Sequence, residues 1–172
     1  KGESRYFLLN DLRHHKQRYP MMVQRYVALA FERNAVPSAN EMPILAPKLT
    51  VNPQQQAATL KQFEKQTALL GTRPLIGFCP GAEFGPAKRW PHYHYAKLAE
   101  MLIEQGYAIM LFGSAKDVDV GEQIRNTLPE ALQPFCVNLA GQTSLDQAVD
   151  LIAHCAVIVS NDSGLMHIAA AT

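Results

Sequence analysis

The sequence lacks any apolar run long enough to cross a lipid bilayer, and it lacks a signal peptide, so a role at a membrane would have to be peripheral. It also lacks a strong charge of either sign. The formal net charge is +1 over 172 residues, which does not favour nucleic acid as a partner. Glycine and proline contents are ordinary, which argues against a large disordered share. With 48% hydrophobic residues, the composition indicates a globular protein with a substantial core.

Cysteine is scarce, and Cys79, Cys136 and Cys155 stand at spacings that suggest no pairing. Each lies in or beside an apolar run. We therefore predict reduced core thiols in a cytosolic protein, and neither a disulfide framework nor a zinc site.

Signatures of several enzyme classes are missing as well. No G-x-G-x-x-G follows a predicted strand, which weakens a dehydrogenase interpretation, and no G-x-S-x-G is present to support an esterase triad. His92 and His94 fit no metal-ligand pattern, so we expect them at the surface. No metal and no cofactor are predicted.

Positive charge is concentrated at the front of the chain. Residues 1–33 carry seven lysines and arginines against three acids, with His14 and His15 among them. Such a patch suits an anionic partner, and it suits a solvated surface equally well. The helical pattern over residues 4–33 is divided by Pro20. One apolar face follows it, formed by Met22, Val23, Tyr26, Val27 and Ala30.

Residues 34–52 contain three prolines and predict an extended connector, with a short strand at Ile44-Leu45. Asn52-Pro53 is a typical helix start, and Gly71 is expected to end that helix. The last residues, 169–172, fall inside a predicted helix without a C-cap. Together with the absence of an initial Met, this suggests an internal piece of a larger protein.

From residue 74 onward, short apolar strands alternate with helices. We predict strands over 74–79, 107–112, 136–139 and 156–160. The predicted helices cover 91–105, 117–128 and 144–154, with a last one beginning near Ser163. Ser144 and Gln147 form a predicted capping box. This alternation predicts an α/β fold with a parallel sheet covered by helices on both faces.

Ligands of open parallel sheets bind beyond the carboxyl ends of the strands. Four predicted loops meet at that edge: 80–90, 113–117, 141–144 and 161–164. The last of them, Asn161-Asp162-Ser163-Gly164, opens a helix whose first N–H groups could bind a phosphate. Gly164 would admit a close backbone approach, and the Ser163 hydroxyl and His167 would add donors. A simple N-cap with a surface histidine explains the same residues equally well.

The other loops supply further candidates. Lys88 and Arg89 lie in a long loop and could neutralise a diphosphate, with the case for Lys88 the better one; the alternative is a solvated pair beside a core Trp90. Asp117 follows the second strand, where a carboxylate can bind ribose hydroxyls or cap a helix. Thr143 and Ser144 suit capping better than ligand binding.

Three motifs in order resemble the bacterial heptosyltransferases: Lys88-Arg89-Trp90-Pro91, then residues 139–145 (LAGQTSL), then residues 160–167 (SNDSGLMH). The likeness covers most of the chain, including the basic stretch 13–20. It implies a GT-B fold of two Rossmann-like domains. Residues 1–50 would end the acceptor-binding domain and form the linker, and residues 51–172 would begin the nucleotide-sugar domain.

The resemblance also implies an activity: inverting, metal-independent transfer of a heptose from ADP-heptose to the lipopolysaccharide inner core of Gram-negative bacteria. The enzyme would be cytoplasmic and would bind peripherally to the inner membrane. Lys88 would neutralise the leaving diphosphate, and Asp162 would shape the turn that holds the phosphates. The phosphate ligands would be Ser163, Gly164, Leu165 and His167. Asp117 would lie near the ribose and Thr143 near the adenine.

The family's general base would precede Lys1, so none is named here and the chain by itself is expected to be inactive. Two other interpretations of the residues remain open. One is a GT-B transferase that uses another nucleotide sugar, such as a UDP-sugar. The other is a nucleotide-binding module without catalytic activity.

Overall fold

A computed structural model describes residues 18–32, 34–82 and 86–172. The chain divides into two compact units, residues 1–47 and 48–172. Most of the predicted basic patch, including Arg13, His14, His15 and Lys16, lies outside the described residues. None of the helices in the described ranges has the length and apolar character that crossing a membrane requires.

The first unit has a small core of its own, made by Tyr19, Ala28, Val36 and Met42. The Tyr19 hydroxyl donates to the Pro37 carbonyl at 2.7 Å. Arg18, the part of the basic stretch that is described, donates to the Val36 carbonyl at 3.2 Å. Its guanidinium therefore helps hold this core.

Helix α1 (Met22–Val27) continues as a 3-10 turn over Ala28–Ala30, and it buries a different side from the one its apolar residues predict. Met22 is 59% exposed and Tyr26 is 67% exposed, whereas Gln24 is buried. The Gln24 amide donates to the Ala39 carbonyl at 3.1 Å and accepts from the Met21 N–H at 3.0 Å. A glutamine bonded through both its amide nitrogen and its amide oxygen thus takes the inner position.

The strand predicted at Ile44-Leu45 is wrong, since residues 42–50 have no regular secondary structure. Pro43 and Pro47 flank the pair, and a proline has no N–H for a strand ladder. Ile44 packs against the small core and Leu45 is 89% exposed, so the two side chains do point apart as in a strand, but without a partner strand in the described residues.

The second unit opens with helix α2 (Pro53–Gln62), which is capped as predicted: the Asn52 side chain accepts from the N–H groups of Gln54 and Gln55. The helix is shorter than predicted. It breaks at Phe63, resumes as α3 (Glu64–Thr67) and ends in a 3-10 turn before Gly71, whose φ is +62°. Phe63 is 3% exposed, so packing of this ring accompanies the break.

Four parallel strands form the sheet, and the predicted α/β class is confirmed. They are β1 (Leu75–Cys79), β2 (Ala108–Leu111), β3 (Cys136–Asn138) and β4 (Val157–Ser160), in the order β3-β2-β1-β4. The register pairs Phe78 with Leu111 on one side and with Val159 on the other. Strands β1 and β4 are neighbours although two strands separate them in sequence.

Alternation along the strands divides the core into two layers. Helices α4 (His92–Glu104) and α5 (Val118–Thr127) contribute to the layer that contains Ile76, Phe78, Ile109 and Leu111. Helices α6 (Leu145–His154) and α7 (Gly164–Ala169) contribute to the opposite layer with α2, and this layer contains Cys79, Met110, Phe112 and Leu139. The helices therefore cover both faces of the sheet.

Helix α7 ends at Ala169, so residues 170–172, which were predicted to be helical, lie beyond its end.

A buried hydrogen bond fixes α2 on α6. The Thr59 hydroxyl donates to Asp150 Oδ2 at 2.7 Å, and both residues are buried. Gln56 adds a bond from its amide to the Asp150 carbonyl at 2.9 Å.

The three cysteines are free thiols, as predicted, with Cys79 and Cys136 buried and Cys155 partly buried. Burial raises the pKa of each to about 12. At pH 8 an unperturbed thiol is roughly a tenth or more ionised, so the reactive thiolate fraction falls by at least ~10²-fold on folding.

We therefore expect iodoacetamide to label these three positions at least ~10²-fold more slowly at pH 8 in the native protein than in guanidinium. Peptide mass mapping measures each cysteine separately, and the unfolded sample is the control. Rapid native labelling of one position would contradict the burial described for that thiol.

Candidate functional site

A cavity of about 290 Å³ opens at the carboxyl edge of the sheet. This size is close to the lower end of the range for small-molecule sites. The strand order places it beside the switch point between β1 and β4, because β1 leads on to β2 on one side while the chain reaches β4 from β3 on the other, and open α/β sheets bind ligands at such a point. Most of the lining residues lie in the predicted loops or directly after them: Gly81, Ala82, Arg89, Gly113, Ser114, Lys116, Asp117, Ser163, Gly164 and Leu165.

Two cationic side chains belong to this lining, Arg89 and Lys116. The Arg89 guanidinium donates to the Ala82 carbonyl through Nε at 3.3 Å and through a terminal nitrogen at 3.0 Å. This fork fixes the side chain against the start of its own loop. Arg89, which the sequence left undecided between ligand and solvent, therefore has a defined place at the cavity.

Lys88 ends a 3-10 turn, Pro86–Lys88, and forms an ion pair with Asp162 from the loop after β4. Nζ and Oδ2 are 2.5 Å apart, and the two side chains are 48% and 60% exposed. The hydrogen bond and the charge of Lys88 lower the pKa of Asp162, with a smaller contribution from His167. Lys88 is thus beside the predicted turn, although it is not part of the lining. Residues 83–85 lie outside the described residues.

The predicted turn lies where expected. Ser163 precedes α7, and its hydroxyl is 3.3 Å from that of Ser160, which in turn donates to the Asn161 carbonyl at 2.8 Å. A Cβ added to Gly164 would meet no heavy atom within 4 Å. Its φ is not positive, so backbone strain does not require glycine here. The missing side chain leaves space in front of the turn.

Asp117 occupies a notch between two strand ends. A Cβ on Gly81 would come within 2.5 Å of its carboxylate, and one on Gly113 within 2.6 Å of its side chain. Its Oδ2 accepts from the Ser114 N–H at 2.8 Å and from the Ser114 hydroxyl at 2.7 Å. Asp117 therefore bonds back to Ser114 within its own turn and also lines the cavity, whereas its binding to a ribose stays a prediction.

A buried amide holds the helix that follows Asp117. Asn138 Nδ2 donates to the Val118 carbonyl at 3.1 Å and to Glu122 at 2.8 Å. Its Oδ1 accepts from the Ala140 N–H at 3.1 Å. Gly121 lets the helix approach this amide, since a Cβ there would lie 2.5 Å from Oδ1.

The loop 141–144 behaves as its sequence predicts. The Ser144 hydroxyl accepts from the Gln147 N–H and the Gln147 side chain accepts from the Ser144 N–H, which completes the capping box. Thr143 is partly buried and is not among the described residues that line the cavity. Leu145, two residues on, is a lining residue although it is 64% exposed.

The aromatic residues around the start of α4 form a cluster that extends from the surface to the buried Tyr95. Trp90 is 42% exposed, so it is not the core residue of the alternative interpretation. Its ring stacks on His94, with centroids 5.4 Å apart, and meets Tyr95 edge-on at 4.9 Å. Burial raises the pKa of Tyr95 to about 12, which keeps its hydroxyl a donor at neutral pH.

Within the described ranges, no three His, Cys, Asp or Glu side chains are grouped to hold a metal.

Sequence reasoning missed Ser114, Lys116 and Leu145 as lining residues, and it assigned no role to Asn161. Ser114 and Lys116 lie within the predicted loop 113–117 and Leu145 directly follows the loop 141–144, so position alone could have nominated them. Asn161 is buried and bonded to the loop after β1, a relation that depends on β1 and β4 being neighbours.

Comparison with known proteins gives consistent matches. The profile of glycosyltransferase family 9 (heptosyltransferase) matches residues 1–172. Lipooligosaccharide heptosyltransferase 2 of Haemophilus influenzae is 75% identical over 171 residues, covering 99% of this chain and 49% of that protein. Lipopolysaccharide heptosyltransferase 2 of Escherichia coli is 55% identical, with the same coverage.

A solved structure, that of the E. coli ADP-heptose LPS heptosyltransferase II, superposes with a TM-score of 0.86 and 55% identity. The match covers 97% of this chain and 50% of that one. The chain spans about half the length of the curated relatives it matches.

Proposed function

The chain belongs to glycosyltransferase family 9, the heptosyltransferases, and on that premise we propose that the protein transfers a heptose from ADP-heptose to the inner core of lipopolysaccharide. The observation that carries the proposal is the cavity at the carboxyl edge of the sheet, where two cations meet Ser163, Gly164 and Asp117. A nucleoside diphosphate needs this combination of positive charge, open backbone and a carboxylate for its ribose. Because the chain covers about half of its relatives, activity and substrates are part of the proposal.

In the proposed complex the nucleoside lies toward β2 and α6. Asp117, in its notch between Gly81 and Gly113, accepts from the ribose hydroxyls. Thr143 lies near the adenine, and the exposed face of Leu145 gives the base an apolar surface.

The diphosphate lies toward the turn after β4. Ser163, Gly164 and Leu165 line the cavity there and would bind the phosphates through the Ser163 hydroxyl and backbone N–H groups. Helix α7 is only six residues long, so local N–H donors matter more than the helix dipole. Lys88 adds positive charge, with Asp162 holding it in place, and the His167 ring would add a hydrogen-bond donor.

The proposed reaction inverts the anomeric centre. An acceptor hydroxyl oxygen attacks the anomeric carbon while the bond from that carbon to the β-phosphate oxygen breaks, and ADP departs with the electron pair. The hydroxyl proton passes to a general base, which we do not assign to any residue of this chain. Negative charge grows on the β-phosphate in the transition state, and fixed cations stabilise it most at that stage. That no metal takes part rests on the family resemblance.

The acceptor side is proposed to involve the front of the chain. Residues 1–50 would belong to the acceptor-binding domain and linker, and residues 51–172 to the donor domain. The basic stretch 13–20 would meet an anionic acceptor at the cytoplasmic face of the inner membrane. Within that stretch Arg18 already bonds the Val36 carbonyl.

The proposal is tested with the protein encoded by the complete reading frame, incubated with ADP-heptose and a heptose-deficient lipopolysaccharide acceptor. We expect the acceptor to gain one heptose by mass spectrometry. We also expect ADP to compete with the donor at least about tenfold better than UDP, a difference of about 1.4 kcal/mol.

UDP competing as well as ADP, with UDP-sugar turnover, would mean a different donor on the same fold. ADP binding without any transfer would favour the non-catalytic module.

A further inference from the structure

Asn161 is a buried amide at the switch point of the sheet, between the neighbouring strands β1 and β4. It directly follows β4 and is 8% exposed. Its backbone N–H donates to the Cys79 carbonyl at 3.2 Å, which extends the pairing of the two strands by one step. The backbone of Asn161 is therefore fixed beside Cys79, which lines the cavity.

The side chain of Asn161 joins both ends of the loop that follows β1. Nδ2 donates to the Pro80 carbonyl at 2.7 Å, at the beginning of the loop. Oδ1 accepts from the Trp90 N–H at 3.1 Å, at the end of the loop, and from the Tyr95 hydroxyl at 3.2 Å, on α4. One amide group thus closes the segment that carries Lys88 and Arg89.

Only an amide satisfies this set of partners. A carboxylate could accept from Trp90 and Tyr95, but it has no hydrogen to donate to the Pro80 carbonyl and would place a negative charge against it. An alanine would leave the partners of both Oδ1 and Nδ2 unbonded in a buried place. Asn161 is therefore matched to this position by chemistry and not by size alone.

The Lys88–Asp162 ion pair cannot hold the two loops together by itself, because it is exposed and such pairs contribute little. The buried amide next to it is the stronger constraint. It sits one residue before Asp162 and two before Ser163, so it fixes the phosphate turn to the loop of Lys88.

We propose that Asn161 is a positioning residue for the reaction, one that keeps Lys88 aligned on the departing diphosphate. This rests on the proposed function. Asn161 itself touches no substrate. Its contribution is expected in kcat, through Lys88, because misplacing a charge that acts on the transition state costs rate more than donor affinity.

The experiment is a double-mutant cycle of Asn161→Ala and Lys88→Ala in the protein encoded by the complete reading frame. If Asn161 acts through Lys88, its loss should lower kcat about tenfold or more with Lys88 present and less than about threefold without it. Equal losses in both backgrounds would overturn the proposal. Asn161→Asp should resemble Asn161→Ala, and full activity in Asn161→Asp would also overturn it.

Thr59→Val is the matched control for a loss of stability. It removes a buried hydrogen bond of the same unit, to Asp150, and neither residue lines the cavity. After correction for the folded fraction, we expect its kcat to be unchanged. A drop equal to that of Asn161→Ala would mean that Asn161 is merely structural.

Hydrogen exchange separates this proposal from the proposed function. In Asn161→Ala the Trp90 amide loses its acceptor, so the peptide over residues 86–95 should exchange faster, whereas Thr59→Val should leave it unchanged. If exchange is faster in Asn161→Ala but the unmodified protein shows no heptosyl transfer, the link between the loops is supported and the proposed function is wrong. Unchanged exchange would overturn the link.

Discussion

Lys88→Ala, made in the protein encoded by the complete reading frame, should lower kcat by at least ~10²-fold, because it removes a cation from the site where leaving-group charge develops. The ammonium group is held by Asp162, next to the residues that line the cavity. A pre-positioned charge needs little reorganisation during the reaction. Since the phosphate carries charge before the reaction too, the affinity for ADP should fall, but by a smaller factor than kcat. Steady-state kinetics and calorimetry with ADP measure the two effects.

Lys97→Ala is the matched control for this substitution. Lys97 is also an exposed lysine paired with a carboxylate, that of Glu100 at 2.9 Å, but it lies on α4 and not at the cavity. We expect it to leave kcat within about twofold, as surface ion pairs contribute little. A change within about twofold for Lys88→Ala as well would show that Lys88 does not stabilise the leaving group.

The strands and most helices could be predicted because their signals are local. Strand β2 lies within the predicted 107–112, and the capping residues Asn52 and Ser144 begin their helices as expected. A continuous apolar run bounded by glycine is sufficient to indicate a strand buried on both faces. The predicted loops meet at one edge for the same reason, since parallel strands must all end there.

What failed depends on contacts that are distant in sequence. Phe63 is part of a good helical pattern, yet the helix breaks there as the ring enters the core. Gln24 displaces an apolar face because its partner is the carbonyl of Ala39, 15 residues away. Propensity and periodicity contain no information about either partner, and tertiary packing outweighs them.

In the candidate site, too, local features could be predicted and contacts between residues distant in sequence could not. The sequence nominated Lys88 over Arg89, but Arg89 lines the cavity and Lys88 pairs with Asp162, 74 residues away. That pairing and the bonds of Asn161 both require β4 to lie beside β1. The sheet order is a property of the whole unit, so the roles of these residues became visible only with the fold.

Gly164→Val is expected to abolish most nucleotide binding while leaving the fold intact. The Cβ of residue 164 would point into open space, without a heavy atom within 4 Å, and the backbone needs no glycine conformation. Valine therefore fills the volume in front of the turn that the phosphates are proposed to occupy. Overpacking of this kind costs about 1–3 kcal/mol, which corresponds to roughly a fivefold to 150-fold loss of ADP affinity by calorimetry.

Two further variants decide whether the loss comes from the blocked space. Gly164→Ala adds a smaller side chain and should give an intermediate affinity, since the steric effect is graded. Ala170→Val adds the same branched side chain just beyond the other end of α7, at an exposed position, and should bind ADP normally. Because β-branched residues cost a short helix only a few tenths of a kcal/mol, the thermal midpoints of the two valine variants should be similar. Unchanged ADP affinity in a folded Gly164→Val variant would show that the phosphates do not bind at this turn, whatever the fate of the Lys88 prediction.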